Sequence, residues 1–257
     1  MSNKKIVLLA GKGVSTSIVF HALKNDFAIA AVILEEKESA WLFVKRRAKK
    51  LGWFTAIGQV LFQLLVVRIL NLIAKHRKEE ILENYQLNSS DIPDVLVKSV
   101  SSVNSPDCIQ LLQSISPDAV VVNGTRIISK KVLSAIPSKF INMHAGITPA
   151  YRGVHGGYWA LVNNDKENCG VTIHLVDAGV DTGNVLYQER IVKTAKDSFV
   201  TYPLLQLAAG LPWLKQAVND ALTSQLHPIA TTATNSKQWY HPTIGQYIWH
   251  LATKAVC

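Results

Sequence analysis

The chain has 257 residues, 48% of them hydrophobic and 18% charged, with a formal net charge of +9; this suits one large α/β domain with an appendage and argues against a multi-domain machine. Its three cysteines, Cys108, Cys169 and Cys257, stand at no CxxC or Cys/His ligand spacing, which argues against a disulfide framework or a structural zinc site and fits a reducing cytoplasm. The charge is concentrated. Residues 41–80 carry nine Lys or Arg (Lys45, Arg46, Arg47, Lys49, Lys50, Arg68, Lys75, Arg77, Lys78) against two acids, Glu79 and Glu80, a local +7, so the rest is near neutral and no nucleic-acid surface spread over the fold is expected.

From the N-terminus, "KKIVLLAGKG" reads as a buried strand ending in a glycine turn, without the apolar stretch and cleavage site of a signal peptide. "VSTSIVFHALKN" then reads as a helix starting near Ser15 or Thr16, and "FAIAAVIL" as a second strand. Strand, glycine turn, helix, strand opens a parallel, Rossmann-like sheet. Residues 41–85 interrupt this alternation. "WFTAIGQVLFQLLVVRILNLIA" carries too many polar residues, Gln59, Gln63, Arg68 and Asn71, to read as a plain membrane span. Its polar positions fall at 55, 59 and 63 and at 68, 71 and 75. Each set keeps helical spacing, out of register with the other, as in two joined helices or one helix buried on several sides. Two readings stay open: a helical hairpin packed on the domain or in a homodimer interface, and a helix lying on anionic lipid between basic flanks, at the inner face of the membrane.

Beyond residue 85, "DCIQLLQSIS" reads as a helix, "PDAVVVNG" as a strand, "SKKVLSAIP" as a short helix and "KFINMHAG" as a strand. "CGVTIHLVDAG" and "NVLYQERIVK" read as two strands around a turn, and "SFVTYPLLQLAAGLPWLKQAVNDAL" as a helix broken near Gly210 and Pro212. The aromatic-rich tail, residues 224–257, is expected to pack onto a domain covering 1–223.

Chemistry concentrates after the insertion. Residues two apart in a strand share a face, so Asn142 and His144 in "INMHAG" project together from a strand end, where open α/β sheets put their ligands. An amide that donates beside an imidazole that donates or accepts suits oxyanion stabilisation and proton handling. The same pair also fits a turn asparagine and a structural histidine. In "HLVDAGVDTGNV", Asp177 and Asp181 stand beside glycines that let backbone approach a ligand, or serve as Asx turns. The glycines of "AGKGVS" lie between a strand and a helix N-terminus, an arrangement that can hold an anion, though they form no Walker motif.

These segments resemble the folate-dependent formyltransferase family, which includes glycinamide ribonucleotide, methionyl-tRNA and sugar N-formyltransferases. The resemblance runs from "SPDAVVVNGTRIIS" through "FINMHAGITPAYRG" to "CGVTIHLVDAGVDTGNVLYQERI", with the family's Asn-x-His, Pro-x-x-Arg-Gly and Val-Asp-x-Gly in order. It implies an α/β, Rossmann-like, mostly parallel sheet of the formyltransferase type, with 41–85 as a helical insertion. It also implies a catalytic trio of Asn142, His144 and Asp181, with 10-formyltetrahydrofolate as donor and no metal. By the same resemblance, Gly124, Thr125, Arg126, Ile127, Ile128, Gly179 and Val180 line the folate pocket. Gly11, Lys12, Gly13, Ser15, Arg152 and His155 face the acceptor, a small-molecule primary amine, and His174 matches a common family histidine of second-rank or packing role. Among acceptors, tRNA is disfavoured because about thirty residues follow Leu222, leaving no room for a C-terminal barrel, and a formyltetrahydrofolate hydrolase is disfavoured because the catalytic domain starts at residue 4. The insertion favours a nucleotide-linked amino sugar of surface-glycan synthesis over glycinamide ribonucleotide. A catalytically idle membrane-associated or scaffolding protein is the alternative of another class.

Overall fold

The computed structural model describes residues 4–231 and 235–257. The chain opens with β1 (Lys5–Gly11), α1 (Val14–Leu23) and β2 (Ala28–Glu35). The insertion follows as α2 (Ala40–Leu51), α3 (Trp53–Leu61), a π-helical turn (Phe62–Val66), α4 (Val67–Ile73) and α5 (Lys75–Asn84). Next come β3 (Val97–Val100), α6 (Pro106–Ile115), β4 (Ala119–Asn123), the short α7 (Lys130–Leu133) and β5 (Lys139–His144). After these run β6 (Tyr151–Gly153), α8 (Gly156–Val162), β7 (Gly170–Leu175), β8 (Val185–Arg190) and α9 (Tyr202–Thr223). Last come β9 (Lys237–Trp239) and α10 (Ile244–Lys254).

Seven strands form one sheet in the order β3-β2-β1-β4-β5-β7-β8. The first five are parallel, and β7 and β8 are antiparallel. The α/β, Rossmann-like, mostly parallel sheet expected from the sequence is therefore present. Residues Ile6–Ala10 of β1 and all of β4 are buried because helices cover both faces of the parallel half. On one face, α1 and α9 pack on Ile6, Leu8 and Ile141. On the other, α6 packs on Val7, Val120 and Phe140.

Helix α9 is not broken. It runs through Gly210 and Pro212 to Thr223. Gly210 lets it lie close to the sheet, since a Cβ there would stand 2.6 Å from the Met143 sulfur. Pro212 is exposed on the solvent side, where the loss of one helical hydrogen bond is easily met by water.

The insertion resolves the two out-of-register polar sets. Trp53–Ile73 is one continuous helical rod of 21 residues, and the π-turn at Phe62–Val66 shifts its phase midway. Polar Gln59 faces inward, where its amide donates to the carbonyl of His241 at 2.7 Å. Phe62, fully buried, meets the rings of Phe199 and Tyr247 edge-on or tilted at 5.0 and 5.2 Å. Arg77 on α5 pairs with the buried carboxylate of Asp197 at 2.8 Å, tying the far end to the segment before α9. The tail packs on the domain too: β9 pairs with β6, and α10, opened by a Thr243–Gln246 capping box, lies against α3.

Candidate active site

Strand β5 sorts "KFINMH" by pleat. Ile141 and Met143 face α9, while Phe140, Asn142 and His144 share the opposite face. Antiparallel β7 sets His174 directly across from Asn142, and the Asn142 amide lies 3.1 Å from His174 Nε2. The loop between β7 and β8 brings Asp181 back over the same face. Its carboxylate stands 3.4 Å from His144 Nδ1 and 3.5 Å from His174 Nε2, and accepts from the Gly153 amide at 2.9 Å. Asp181 takes a left-handed backbone, φ 50°, so the turn that delivers it is locally strained. The structure thus brings together Asn142, His144 and Asp181, with His174 between the asparagine and the acid.

Hydrogen bonding fixes where the protons sit. His174 Nδ1 lies 2.8 Å from the Leu175 carbonyl and must donate there, so in the neutral ring Nε2 accepts from Asn142. One Asn142 N–H is spent on His174, and its second has no partner among the described residues. His144 Nε2 donates to the Tyr151 carbonyl at 2.7 Å, so Nδ1 of the neutral ring turns a lone pair toward Asp181. Burial pushes the His144 ring below its ordinary pKa, with Asp181 pulling the other way. Burial would raise the Asp181 carboxyl. The contacts with His174 and His144, joined by the Gly153 amide, outweigh it and hold the acid at about 2. A neutral imidazole and a carboxylate facing each other leave a place for one proton between them.

A cavity of about 300 Å³ adjoins this cluster, lined by Thr148, Pro149, Arg152, Asp181, Thr182 and Asn184 among others. Arg152 donates to the Val180 carbonyl at 3.1 Å and to the Ser236 hydroxyl at 2.9 Å, clamping the Asp181 loop to the tail. Gly179 lies in the Asx turn of Asp177, whose carboxylate accepts from the Gly179 amide at 3.0 Å and the Thr182 hydroxyl at 2.7 Å. His155 lies elsewhere. Its ring packs 4.1 Å from Phe199 and its Nε2 stands 3.1 Å from His241, inside the aromatic cluster joining insertion and tail.

The other predicted residues sit at the ends of β1 and β4. Gly11 must lack a side chain, because a Cβ would stand 2.5 Å from the Gly124 carbonyl oxygen. Asn123 donates to the hydroxyls of Ser15 at 3.2 Å and Thr16 at 2.9 Å, joining the glycine turn to β4. Lys12 and Gly13 line a larger cavity of about 990 Å³, where Lys12 and Lys37 meet Glu35, Glu36, Asp91 and Asp94, a rim that does not by itself favour an anion. Gly124, Thr125, Arg126, Ile127 and Ile128 form the loop after β4. Glu35, not singled out from the sequence, is its anchor: it accepts from the amides of Arg126 and Val103, each at 2.8 Å, and pairs with the Arg126 guanidinium at 2.8 Å. The Arg126 side chain is thus occupied within the fold, and Ile127 is left exposed while Ile128 is buried. The sole sequence signal for Glu35 is an acid closing an otherwise apolar strand.

Comparison with known proteins gives the family and the fold. Residues 60–204 match the family described as formyl transferase. A methionyl-tRNA formyltransferase from Finegoldia magna is 40% identical over 91 residues, 35% of this chain and 29% of that protein. The chain spans less than half the length of the first curated relatives it matches. A sugar N-formyltransferase from Shewanella sp. FDAARGOS_354 superposes with a TM-score of 0.59 at 12% identity, covering 97% of this chain and 87% of that one. An N-formyltransferase from Helicobacter canadensis, in complex with folinic acid and dTDP-3-aminofucose, superposes with a TM-score of 0.54 at 17% identity, covering 91% of this chain and 70% of that one. The match over more than half the chain, together with the shared sheet, shows that this protein belongs to the formyl transferase family.

Proposed function

We propose that this protein transfers a formyl group from 10-formyltetrahydrofolate to the primary amine of an amino sugar, in nucleotide-linked form. The observation that carries this is the convergence of Asn142, His144 and Asp181 within 3.1–3.5 Å contacts bridged by His174. The residues fit the donor: Asn142 keeps a free N–H, and the buried hydroxyl of Thr148 on the adjoining cavity has no partner among the described residues.

When bound, 10-formyltetrahydrofolate supplies an electrophilic formyl carbon. Asn142 donates its remaining N–H to the negative charge that grows on the formyl oxygen. The His144–Asp181 pair would accept the proton that the attacking amine must lose, because that proton turns two facing lone-pair bearers into an ion pair, and would return it to N10 of the folate as the bond between N10 and the formyl carbon breaks and tetrahydrofolate leaves. His174 holds the Asn142 amide in the orientation that leaves this N–H free. Each such contribution is worth about 100-fold or more. The amino-sugar acceptor is supported by sugar N-formyltransferases among the fold neighbours and by the basic, apolar insertion, which a compact nucleotide-pathway enzyme does not need.

The test is to incubate the purified protein with 10-formyltetrahydrofolate and a panel of nucleotide-linked amino sugars plus glycinamide ribonucleotide, following tetrahydrofolate. Turnover with an amino sugar is expected. Turnover with glycinamide ribonucleotide alone overturns the acceptor and leaves formyl transfer standing, whereas no turnover and no folate binding overturn both.

A further inference from the structure

The helical rod Trp53–Ile73 is built inside out. Its polar Gln59 is 6% exposed, while Phe54, Leu72 and Ile73 are 96%, 79% and 76% exposed. Ile57, Leu61 and Leu65 continue the same outer surface. At one end the rings of Trp41 and Trp53 stand 6.2 Å apart, both more than half or half exposed. A water-soluble surface does not normally carry a contiguous apolar stripe of this kind unless something covers it.

We propose that this face lies flat on an anionic lipid surface. The charge around it selects that occupant. Residues 41–80 carry a local +7, and among the described residues Lys45, Lys49 and Arg68 enter no ion pair. Aromatic residues and free cations beside an apolar helical face are what a negatively charged headgroup layer rewards. A second copy would bring an identical basic cluster against this one, and like charges would oppose the contact.

By length and hydropathy the rod is able to cross a bilayer, but its inner side is committed. Phe62 is fully buried against Phe199 and Tyr247. Gln59 and Gln63 reach His241 at 2.7 Å, and Gln59 also accepts from Arg47 at 3.1 Å. Crossing would expose these polar groups to hydrocarbon, whereas lying flat leaves them in place and buries only the outer stripe.

The test uses the full chain and vesicle co-sedimentation, comparing mixed phosphatidylglycerol/phosphatidylcholine vesicles with phosphatidylcholine alone. Two variants are compared: Phe54→Ser/Leu72→Ser/Ile73→Ser, which removes apolar contact, and Lys45→Gln/Lys49→Gln/Arg68→Gln, which removes charge. All six side chains lie on the surface, so thermal melting should match the parent. The parent should bind the mixed vesicles and release with salt. Each basic residue near an anionic surface is worth about fivefold in partitioning, so the glutamine variant should bind about 100-fold more weakly. The serine variant should also detach. Equal binding to neutral vesicles, unchanged binding of either folded variant, or no vesicle binding by a parent that light scattering shows to be a dimer dispersed by the serine changes would each overturn the proposal. None of these outcomes bears on formyl transfer, which is read separately in solution.

Discussion

Replacing Asp181 by Asn removes one charge and almost no volume. The carboxylate faces His144 at 3.4 Å and His174 at 3.5 Å, and its side chain is only 14% exposed. At an effective dielectric of about 20, a full charge pair at that separation is worth about 5 kcal/mol. Residual solvent contact reduces this, and an asparagine oxygen can still accept from the Gly153 amide, so a loss of about 3–4 kcal/mol is expected in the barrier. That is about 100- to 1,000-fold in turnover. Because the charge matters when the amine's proton arrives, kcat and kcat/KM should fall together, with little change in the folate KM. The pH profile gives an independent reading. Asp181 opposes the effect of burial on His144, so without it the ring loses its proton more readily and the acid limb of kcat/KM moves to lower pH. Stability has its own sign: an acid held at about 2 contributes stability present above about pH 4 and lost as pH falls through about 2. Single-turnover formation of tetrahydrofolate across pH, with thermal melts alongside, tests all three statements. Turnover within tenfold of the parent, or an unmoved acid limb, in a folded Asp181→Asn protein refutes the proton-acceptor role.

Asn142→Ala should lower kcat at least 100-fold and destabilise by only about 1 kcal/mol, the cost of leaving His174 Nε2 unpaired; near-normal turnover would mean that the amide does not meet the formyl oxygen. Glu35→Ala removes the anchor of the loop after β4, and with Arg126 deprived of its carboxylate partner should cost about 3 kcal/mol in denaturant unfolding. It should also raise the folate KM several-fold while sparing kcat, and an unchanged KM would remove that loop from the folate pocket. Burial, aided by the charge of Arg47, holds His241 at about 4. Stability should therefore be fully present above about pH 6.5 and fall by about 3 kcal/mol toward pH 4, and His241→Gln should flatten that slope in melts across pH, an outcome whose absence would place the titration elsewhere.

Legibility in the sequence followed burial. The runs "IVLLA" and "AVVV" are apolar throughout because both faces are covered, so β1 and β4 could be read directly. Strand β3, "VKSV", is a four-residue edge strand with two exposed positions and has no such signature. Helix α8 begins with two glycines, which argue against a helix locally. It forms because Gly156 must approach Gly146 closely and Gly157 must fit against Gln206, contacts that exist only once β6 and α9 are in place. Asp181 stands far along the chain from Asn142, and the β5–β7 register that joins them through His174 is a property of the sheet. The insertion shows the limit most plainly. Periodicity identified which polar residues share a helical side, and the π-turn explains why the two sets are out of phase. It could not tell which side faces inward, because Gln59 and Gln63 are satisfied by His241 and Arg47, partners supplied by the tail and by α2. Once those polar groups are satisfied inside, the apolar stripe has no remaining core to enter. Its exposure is therefore a consequence of how the glutamines are bound, and removing that seam, as with Gln59→Ala/Gln63→Ala, should loosen the rod from the domain before it disturbs the sheet.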